Sequence, residues 1–158
     1  MLTYFKKIFG TKSERDIKEI EPIVQKIHQA YEVITKLSND ELRAKTIEFK
    51  EKIKEYIKNE EDKIAELKNT LDTNIDLDVD EKDKLYHEID KLEKESYDKT
   101  QEVLNEILPE AFAVMKETAK RFVENQYIEV TANDFDRKLA TFKDNVEIRD
   151  NKAYYKNQ

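Results

Sequence analysis

Apolar side chains recur at three- and four-residue intervals along most of this sequence, the spacing of α-helices that bury one face. The first stripe runs on to Leu37 and consists of Ile17, Ile20, Val24, Ile27, Tyr31 and Ile34. The second consists of Leu42, Thr46, Phe49, Ile53, Ile57, Ile64, Leu67 and Leu71. The third consists of Leu85, Ile89, Leu92, Val103 or Leu104, and Ile107. Each stripe predicts a long helix with a narrow core-facing seam.

Two polar breaks separate these stripes. Ser38 stands three residues before Glu41, the spacing of a capping box, so a helix is expected to start in this turn. Asp72 to Asp80 form an acidic break, after which the helical pattern returns. Because two helices joined by one polar turn pack antiparallel, residues 59–106 are predicted to form a charged helical hairpin.

The two prolines bear on where helices begin. Pro22 either bends the first long helix or marks its true start. Pro109 is predicted to occupy the first turn of a further helix, where its missing N–H costs nothing. The buried face of that helix is expected to consist of Ala111, Phe112, Met115, Ala119 and Phe122.

The last residues combine a helical and a strand pattern. Thr131 and Asp134 have a capping spacing, and the short helix predicted after them is supported by Phe135, Leu139 and Phe142. Two short apolar runs flank Asp150-Asn151, a pair typical of a two-residue β-turn. A lone β-hairpin is marginally stable, so this one is expected to pack against the helices or against sequence outside this chain.

Together these elements predict an all-α fold of elongated helices with a long antiparallel helical hairpin and a small C-terminal β-hairpin. The expected divisions are an amphipathic start and first helices at 1–58, the inserted hairpin at 59–106, further helices at 107–145 and a tail at 146–158. The composition agrees, since 38% hydrophobic against 41% charged residues is too few for a large globular core.

Composition also excludes several kinds of site. Phosphate-binding loops need several glycines, and this chain has only Gly10. The absence of cysteine removes disulfides and thiolate chemistry. A net charge of −7 argues against a nucleic-acid partner. No apolar run reaches the roughly 18 residues that a membrane-spanning helix needs.

The first residues form a small basic amphipathic segment. Its apolar members are Leu2, Phe5, Ile8 and Phe9, and Lys6 and Lys7 lie beside them. One interpretation is docking on anionic lipid or a membrane partner, because apolar burial and lysine attraction to head groups add together. The other is a chain terminus whose aromatic side chains pack on a neighbouring helix.

Two candidate metal sites have little support. Residues 72–83 alternate acidic positions as a calcium loop does, but Leu77 stands where the loop needs glycine and Asp83 where it needs glutamate. The alternative is an acidic turn that caps the next helix. His28 and His87 lie far apart, and neither belongs to a metal-ligand pair.

Two segments resemble a known family. Phe9-Gly10 together with Lys36–Phe49 (KLSNDELRAKTIEF) resembles the N-terminal region of SecA, the ATP-driven preprotein translocase motor of bacteria. Leu108–Val114 (LPEAFAV), followed by Lys120-Arg121, resembles the family's next segment, at the entry to the first nucleotide-binding domain. The resemblance covers roughly residues 2–57 and 107–124. The intervening hairpin looks like a lineage-specific insertion, and the tail from Gln126 is expected to depart from the family.

The resemblance implies a non-catalytic, N-terminal piece of a motor that threads preproteins through the SecY channel. It implies docking on that channel and on anionic phospholipid through residues 2–9, at the inner face of the plasma membrane on the cytoplasmic side. ATP and magnesium would belong to the parent protein, and no cofactor is expected in this chain. A free-standing helical interaction module is the alternative, and homo-oligomerisation through exposed seams is a further possibility.

Overall fold

The computed structural model describes residues 12–157, and most of them are helical. In chain order the elements are α1 (Lys12–Ile34), α2 (Asn39–Thr73), α3 (Val79–Glu124), β1 (Tyr127–Thr131), α4 (Asp134–Leu139), β2 (Val146–Arg149) and β3 (Lys152–Lys156). The chain divides into two compact units, one formed by Met1–Lys45 with Pro109–Gln158 and the other by Thr46–Leu108.

In the first unit, the turn between α1 and α2 is closed by the predicted capping box. The Glu41 N–H donates to Ser38 Oγ over 3.2 Å, and the Ser38 N–H donates to Glu41 Oε2 over 2.7 Å. These two bonds satisfy N–H groups that no helical carbonyl can reach. The capping prediction at Ser38 is therefore confirmed.

A three-stranded antiparallel sheet with the order β1-β3-β2 completes this unit. The β2-β3 hairpin turns at Asp150-Asn151, as predicted, and Asp150 takes a left-handed φ of 52° that aspartate tolerates. The sheet buries Ile128, Val130 and Ala153, and Phe122 packs against them. The predominance of helix agrees with the predicted class, but the third strand, β1, was missed.

The second unit pairs parts of α2 and α3. Ile64, Ile89 and Leu92 form its buried cluster, with Leu67 and Leu71 packed against it. Three ion pairs join the two segments. Along α2 the residue numbers in these pairs increase, while the residue numbers of their partners on α3 decrease. The pairs are Lys52–Glu106, Glu60–Lys99 and Lys68–Glu93, each with N···O at 2.8 Å. The two segments therefore run antiparallel within this unit.

The acidic break at residues 74–78 serves as a helix cap. The Glu81 N–H donates to Asp78 Oδ1 over 2.8 Å, and the Asp78 N–H donates to Glu81 Oε2 over 3.1 Å. This is the reciprocal bonding of a capping box at the start of α3. The prediction that this acidic turn caps the next helix is confirmed.

Two local predictions are wrong, and one of two alternatives is excluded. Pro109 does not start a helix, because α3 continues through it; having no N–H, it cannot bond the Asn105 carbonyl. Pro22 lies inside α1, which excludes the alternative that it marks the start of that helix. The cap of α4 is Asn133, which bonds reciprocally with Asp136, and not Thr131. At the two prolines, tertiary packing outweighed the local signals. At α4, the Asn133 side chain is better placed than Thr131 to cap the helix.

The buried face of α3 also differs from the prediction. Ala113, Val114 and Glu117 are buried, whereas Phe112 and Met115 are 57% and 69% exposed. Ala119 is exposed too. The end of this helix carries two apolar stripes, and the tertiary fold covers the one that continues Val103 and Ile107.

The stripe of α1 is only partly a core stripe. Ile34 is fully buried, but Ile17, Ile20 and Val24 are exposed. The expectation that the whole stripe faces a core is wrong for these three residues. Helical periodicity identifies an apolar face and says nothing about which part of it is covered.

The seam of the second unit contains a buried carboxylate that depends on its ion pair. Glu60 is 4% exposed, its Oε1 accepts from Lys99 Nζ, and its Oε2 has no partner in the part of the chain that the structure describes. The hydrogen bond from Lys99 holds the pKa of Glu60 below its usual value. Losing Lys99 would leave this charge buried and uncompensated.

Lys99→Met is therefore expected to lower the melting temperature, and this decrease should be several times as large as the decrease caused by Lys68→Met. The Lys68→Met change removes an ion pair in which both side chains are exposed. Thermal melts followed by circular dichroism measure both changes. The double variant Glu60→Leu/Lys99→Met should recover most of the loss. Equal melting temperatures for the two single variants would contradict this account of Glu60.

Candidate functional site

The two segments that carry the family resemblance meet in the first unit, although more than 80 positions separate them. Together with residues of α1, β1, α4 and β3, they form a hydrogen-bonded network that we call the polar junction. Its members are Tyr31, Leu37, Asn39, Asp40, Arg43, Glu117, Arg121, Thr131, Asp136 and Tyr155.

Arg121 is the donor that joins the three long helices within this unit. Its Nη1 donates to Asn39 Oδ1 over 2.8 Å and its Nη2 to the Leu37 carbonyl over 2.7 Å. Its Nε donates to Glu117 Oε1 over 2.8 Å, and Glu117 Oε2 accepts from the Tyr31 hydroxyl over 2.9 Å. The planar guanidinium thus uses its fork of donors to fix the turn and the start of α2 against α3, and Glu117 connects it to Tyr31 of α1.

Side chains from the first turn of α2 cover the free edge of β1. Asn39 Nδ2 donates to the Glu129 carbonyl over 3.0 Å. Asp40 accepts from the Thr131 N–H over 2.8 Å and from the Thr131 hydroxyl over 2.7 Å. These bonds occupy backbone groups that an edge strand would otherwise expose to pairing with another chain.

Arg43 extends the same contact to a buried carboxylate. Its Nη2 donates to the Thr131 carbonyl over 2.6 Å, and its Nη1 donates to Asp136 Oδ2 over 2.8 Å. Asp136 is 0% exposed and also accepts from the Asn133 N–H at 2.9 Å and the Tyr155 hydroxyl at 2.5 Å. Both carboxylate oxygens are therefore satisfied.

The electrostatics follow from this bonding. Burial raises the pKa of Asp136, but the bonds from Tyr155, Asn133 and Arg43 outweigh it and hold that pKa below its usual value. Burial likewise opposes the bonds from Arg121 and Tyr31 at Glu117, whose pKa is also lowered. Burial, with the bond to Asp136, raises the pKa of Tyr155 to about 12.

This pattern suits a structural role better than acid–base chemistry. A general acid or base works best with a pKa near the operating pH, whereas these carboxylates are held in the charged form. Each also bonds to partners within the unit. The polar junction therefore positions helices and a strand.

The predicted contact residues Leu2, Phe5, Lys6, Lys7, Ile8 and Phe9 lie outside the described residues. His28 and His87 are exposed. In residues 12–157, no three acidic or histidine side chains are grouped so as to hold a metal ion. Within the same range, none of the helices has the length and apolar character needed to cross a membrane.

The sequence contained part of the signal for the polar junction. The family resemblance identifies the motif at residues 36–49 and the pair Lys120-Arg121. It does not predict that these two segments contact each other. Asp136 and Tyr155 were missed, although an aspartate three residues after Asn133 is a capping-box spacing. Glu117 could not be identified, because one more glutamate on a charged helix has no distinctive local pattern.

Known proteins resemble this chain over nearly all of its length. Residues 5–133 match the family model of the SecA DEAD-like domain. The chain is 47% identical over 154 residues to the protein translocase subunit SecA of Parabacteroides distasonis, covering 98% of this chain and 13% of that protein. It is 49% identical over 152 residues to the protein translocase subunit SecA of Phocaeicola vulgatus, covering 96% and 14%.

Christiangramia forsetii has a protein translocase subunit SecA that is 49% identical over 152 residues, covering 96% of this chain and 13% of that protein. The chain thus spans 13–14% of the length of these relatives. No solved structure matches it. Because the matched stretches reach 98% of the chain, the expectation that the tail from Gln126 departs from the family is wrong.

Replacing Asp136 by asparagine is expected to cost about 2 kcal/mol of folding stability, because Arg43 loses its buried counter-charge. The exposed neighbour Asp134→Asn should change stability by no more than about 0.5 kcal/mol. Urea unfolding at neutral pH measures both changes.

The cost of Asp136→Asn should also depend on pH. A carboxyl with a lowered pKa stabilises the fold above its usual value of 3.8, and this contribution is lost as the pH falls through the lowered value. The difference between the two proteins should therefore shrink in acid. A difference that stays constant down to acid unfolding would contradict the assigned role of the Asp136 charge.

Proposed function

The chain belongs to the SecA protein translocase family, and from this premise we propose that it forms the non-catalytic, N-terminal part of an ATP-driven motor that pushes preproteins through the SecY channel. The observation that carries the proposal is identity of 46–49% over nearly the whole chain to proteins named as translocase subunits. Hydrolysis, with ATP and magnesium, is assigned to other parts of the parent protein.

The charges of the described residues support a non-catalytic role. The buried acidic groups of the first unit, Asp136 and Glu117, are bonded to arginines and hold its elements together. The single glycine of the sequence cannot build a phosphate-binding loop. What this segment would contribute to the motor is a fixed arrangement of helices.

The uncovered face of α3 supports the idea that this unit packs against further parts of a larger protein. Phe112, Met115 and Val123 are 57%, 69% and 80% exposed, and they lie on one side of the helix with Ala119. Neighbouring apolar side chains that are exposed together are typical of contact surfaces. A free-standing adaptor would leave this stripe exposed to water.

Membrane and channel contact is assigned to the basic amphipathic segment at residues 2–9. Leu2, Phe5, Ile8 and Phe9 would enter the interface, while Lys6 and Lys7 face lipid phosphate. With this contact, the parent would be a peripheral protein on the inner face of the plasma membrane, on the cytoplasmic side.

The hairpin at residues 59–106 is proposed as an insertion that alters partner or subunit contacts without serving hydrolysis. Its buried seam is small, and ion pairs between α2 and α3 border it. Such a unit has the character of an accessory contact surface.

Removing residues 1–10 is expected to abolish co-sedimentation of the chain with phosphatidylglycerol-rich vesicles. Lys6→Glu/Lys7→Glu should weaken it strongly, because the anionic surface would repel the new carboxylates. The matched control Lys54→Glu/Lys58→Glu makes the same change of net charge on exposed positions of α2. Equal sedimentation of all variants would disprove the assignment to residues 2–9.

Shortening the hairpin should spare basal ATP hydrolysis by a full-length translocase that contains this chain. Since Glu60 and Lys99 contact each other, residues 61–98 can be replaced by a short glycine-rich turn. The expected result is an unchanged basal rate with altered binding of a partner or subunit. Loss of hydrolysis in a protein that still folds, as judged by its melting curve, would refute the accessory role.

A further inference from the structure

The first half of α1 presents an apolar seam with the spacing of a coiled coil. Counting Ile17 as heptad position a, every a and d position from 17 to 34 is apolar, as Ile17, Ile20, Val24, Ile27, Tyr31 and Ile34, while Ile23 falls at g and Val33 at c. This 3-4 spacing forms a narrow stripe that suits contact with another helix.

Only the second half of this seam is covered within the first unit. Ile34 is fully buried, and the Tyr31 ring lies under Lys116 Nζ at 4.4 Å with its hydroxyl bonded to Glu117. In the first half, Ile17 is 60%, Ile20 54% and Val24 37% exposed. These three residues line an open groove of about 300 Å³ together with Glu21 and Gln25.

The basic residues of α1 avoid the edges of this open half, whereas acidic residues occupy them. Asp16 occupies the g position and Glu21 the e position, which flank an a/d seam and face the flanks of a partner helix. The basic residues Lys12, Arg15, Lys18 and Lys26 all fall at b, c or f positions, on the far side. The seam is thus apolar at its centre, with an acidic residue on each edge, Asp16 at g and Glu21 at e, and the apolar Ile23 at the next g position.

We propose that the open half of this seam, Ile17 to Val24, docks a basic amphipathic helix of a partner protein. Such a helix would place apolar residues at its own a and d positions and lysine or arginine at e and g. Apolar burial would hold the two helices together, and Asp16 and Glu21 would select the basic partner.

Two other occupants fit this surface less well. In a parallel pair of copies, the g position of one helix faces the e position of the next heptad in the other, which brings Asp16 against Glu21. An anionic membrane would likewise repel the acidic edges. The inference goes beyond the proposed function, because it concerns α1 alone and needs neither hydrolysis nor translocation.

The test uses the full 158-residue chain and two synthetic peptides of three heptads with leucine at a and d. One carries lysine at every e and g position, and the other carries glutamate there. Titration calorimetry should detect binding of the lysine peptide, weakened by added salt, and no binding of the glutamate peptide. Binding of both peptides alike, or of neither, would overturn the proposal.

Variants locate the binding surface. Ile20→Ser and Val24→Ser should each weaken binding roughly tenfold or more, because apolar contact is lost. Both side chains are already exposed, so thermal melts should hardly change. The matched control Val33→Ser alters a residue 62% exposed on the same helix but at a c position, and it should bind as the parent chain does. Asp16→Lys/Glu21→Lys should reverse the preference toward the glutamate peptide.

Three further results would overturn the proposal in favour of a different occupant. Dimers in sedimentation equilibrium that Ile20→Ser dissolves would assign the seam to a second copy. Vesicle binding that Ile20→Ser abolishes would assign it to lipid. A rise of more than tenfold in peptide affinity on deleting residues 1–10 would assign it to the chain's own basic segment. None of these outcomes bears on whether the parent translocates preproteins.

Discussion

The first unit depends on the hydrogen bonds and the ion pair that the Arg121 guanidinium makes. It holds the Leu37 carbonyl and the Asn39 amide of the α1–α2 turn, and it pairs with Glu117, which in turn binds Tyr31. Because Arg121 is largely buried and Glu117 almost wholly so, removing either charge would leave the other uncompensated. The relative placement of α1, α2 and α3 in this unit follows from that constraint.

The sheet is fixed by the same segment of chain. Once Arg121 positions Asn39, the next residues of α2 face the open edge of β1, where Asp40 and Arg43 bond its backbone. Arg43 then reaches Asp136, so the start of α4 is fixed by the same arginine that binds the strand. Within the family motif at residues 36–49, Asn39, Asp40 and Arg43 are thereby explained as side chains that satisfy backbone groups of β1 and a buried carboxylate.

The helices also present apolar surface that the described residues leave open. Phe112, Met115 and Val123 on α3 form one such surface, and Ile17 and Ile20 on α1 form another. The chain spans 13–14% of its relatives' length, so contacts with other parts of a larger protein are a natural use for the first. The α1 surface differs because Asp16 and Glu21 flank it, and these two carboxylates favour the basic helix of a partner protein.

The sequence by itself determined what depends on neighbouring residues. The helical stripes, the capping box at Ser38, the acidic cap before α3 and the turn at Asp150-Asn151 all follow from spacings of a few positions. The family was likewise readable from two short segments. Tertiary structure alone decided which of two apolar stripes on α3 is buried, that Tyr127–Thr131 becomes a strand, and that Arg121 meets Asn39. These outcomes rest on contacts between residues far apart in the chain, where local periodicity and capping rules carry no information.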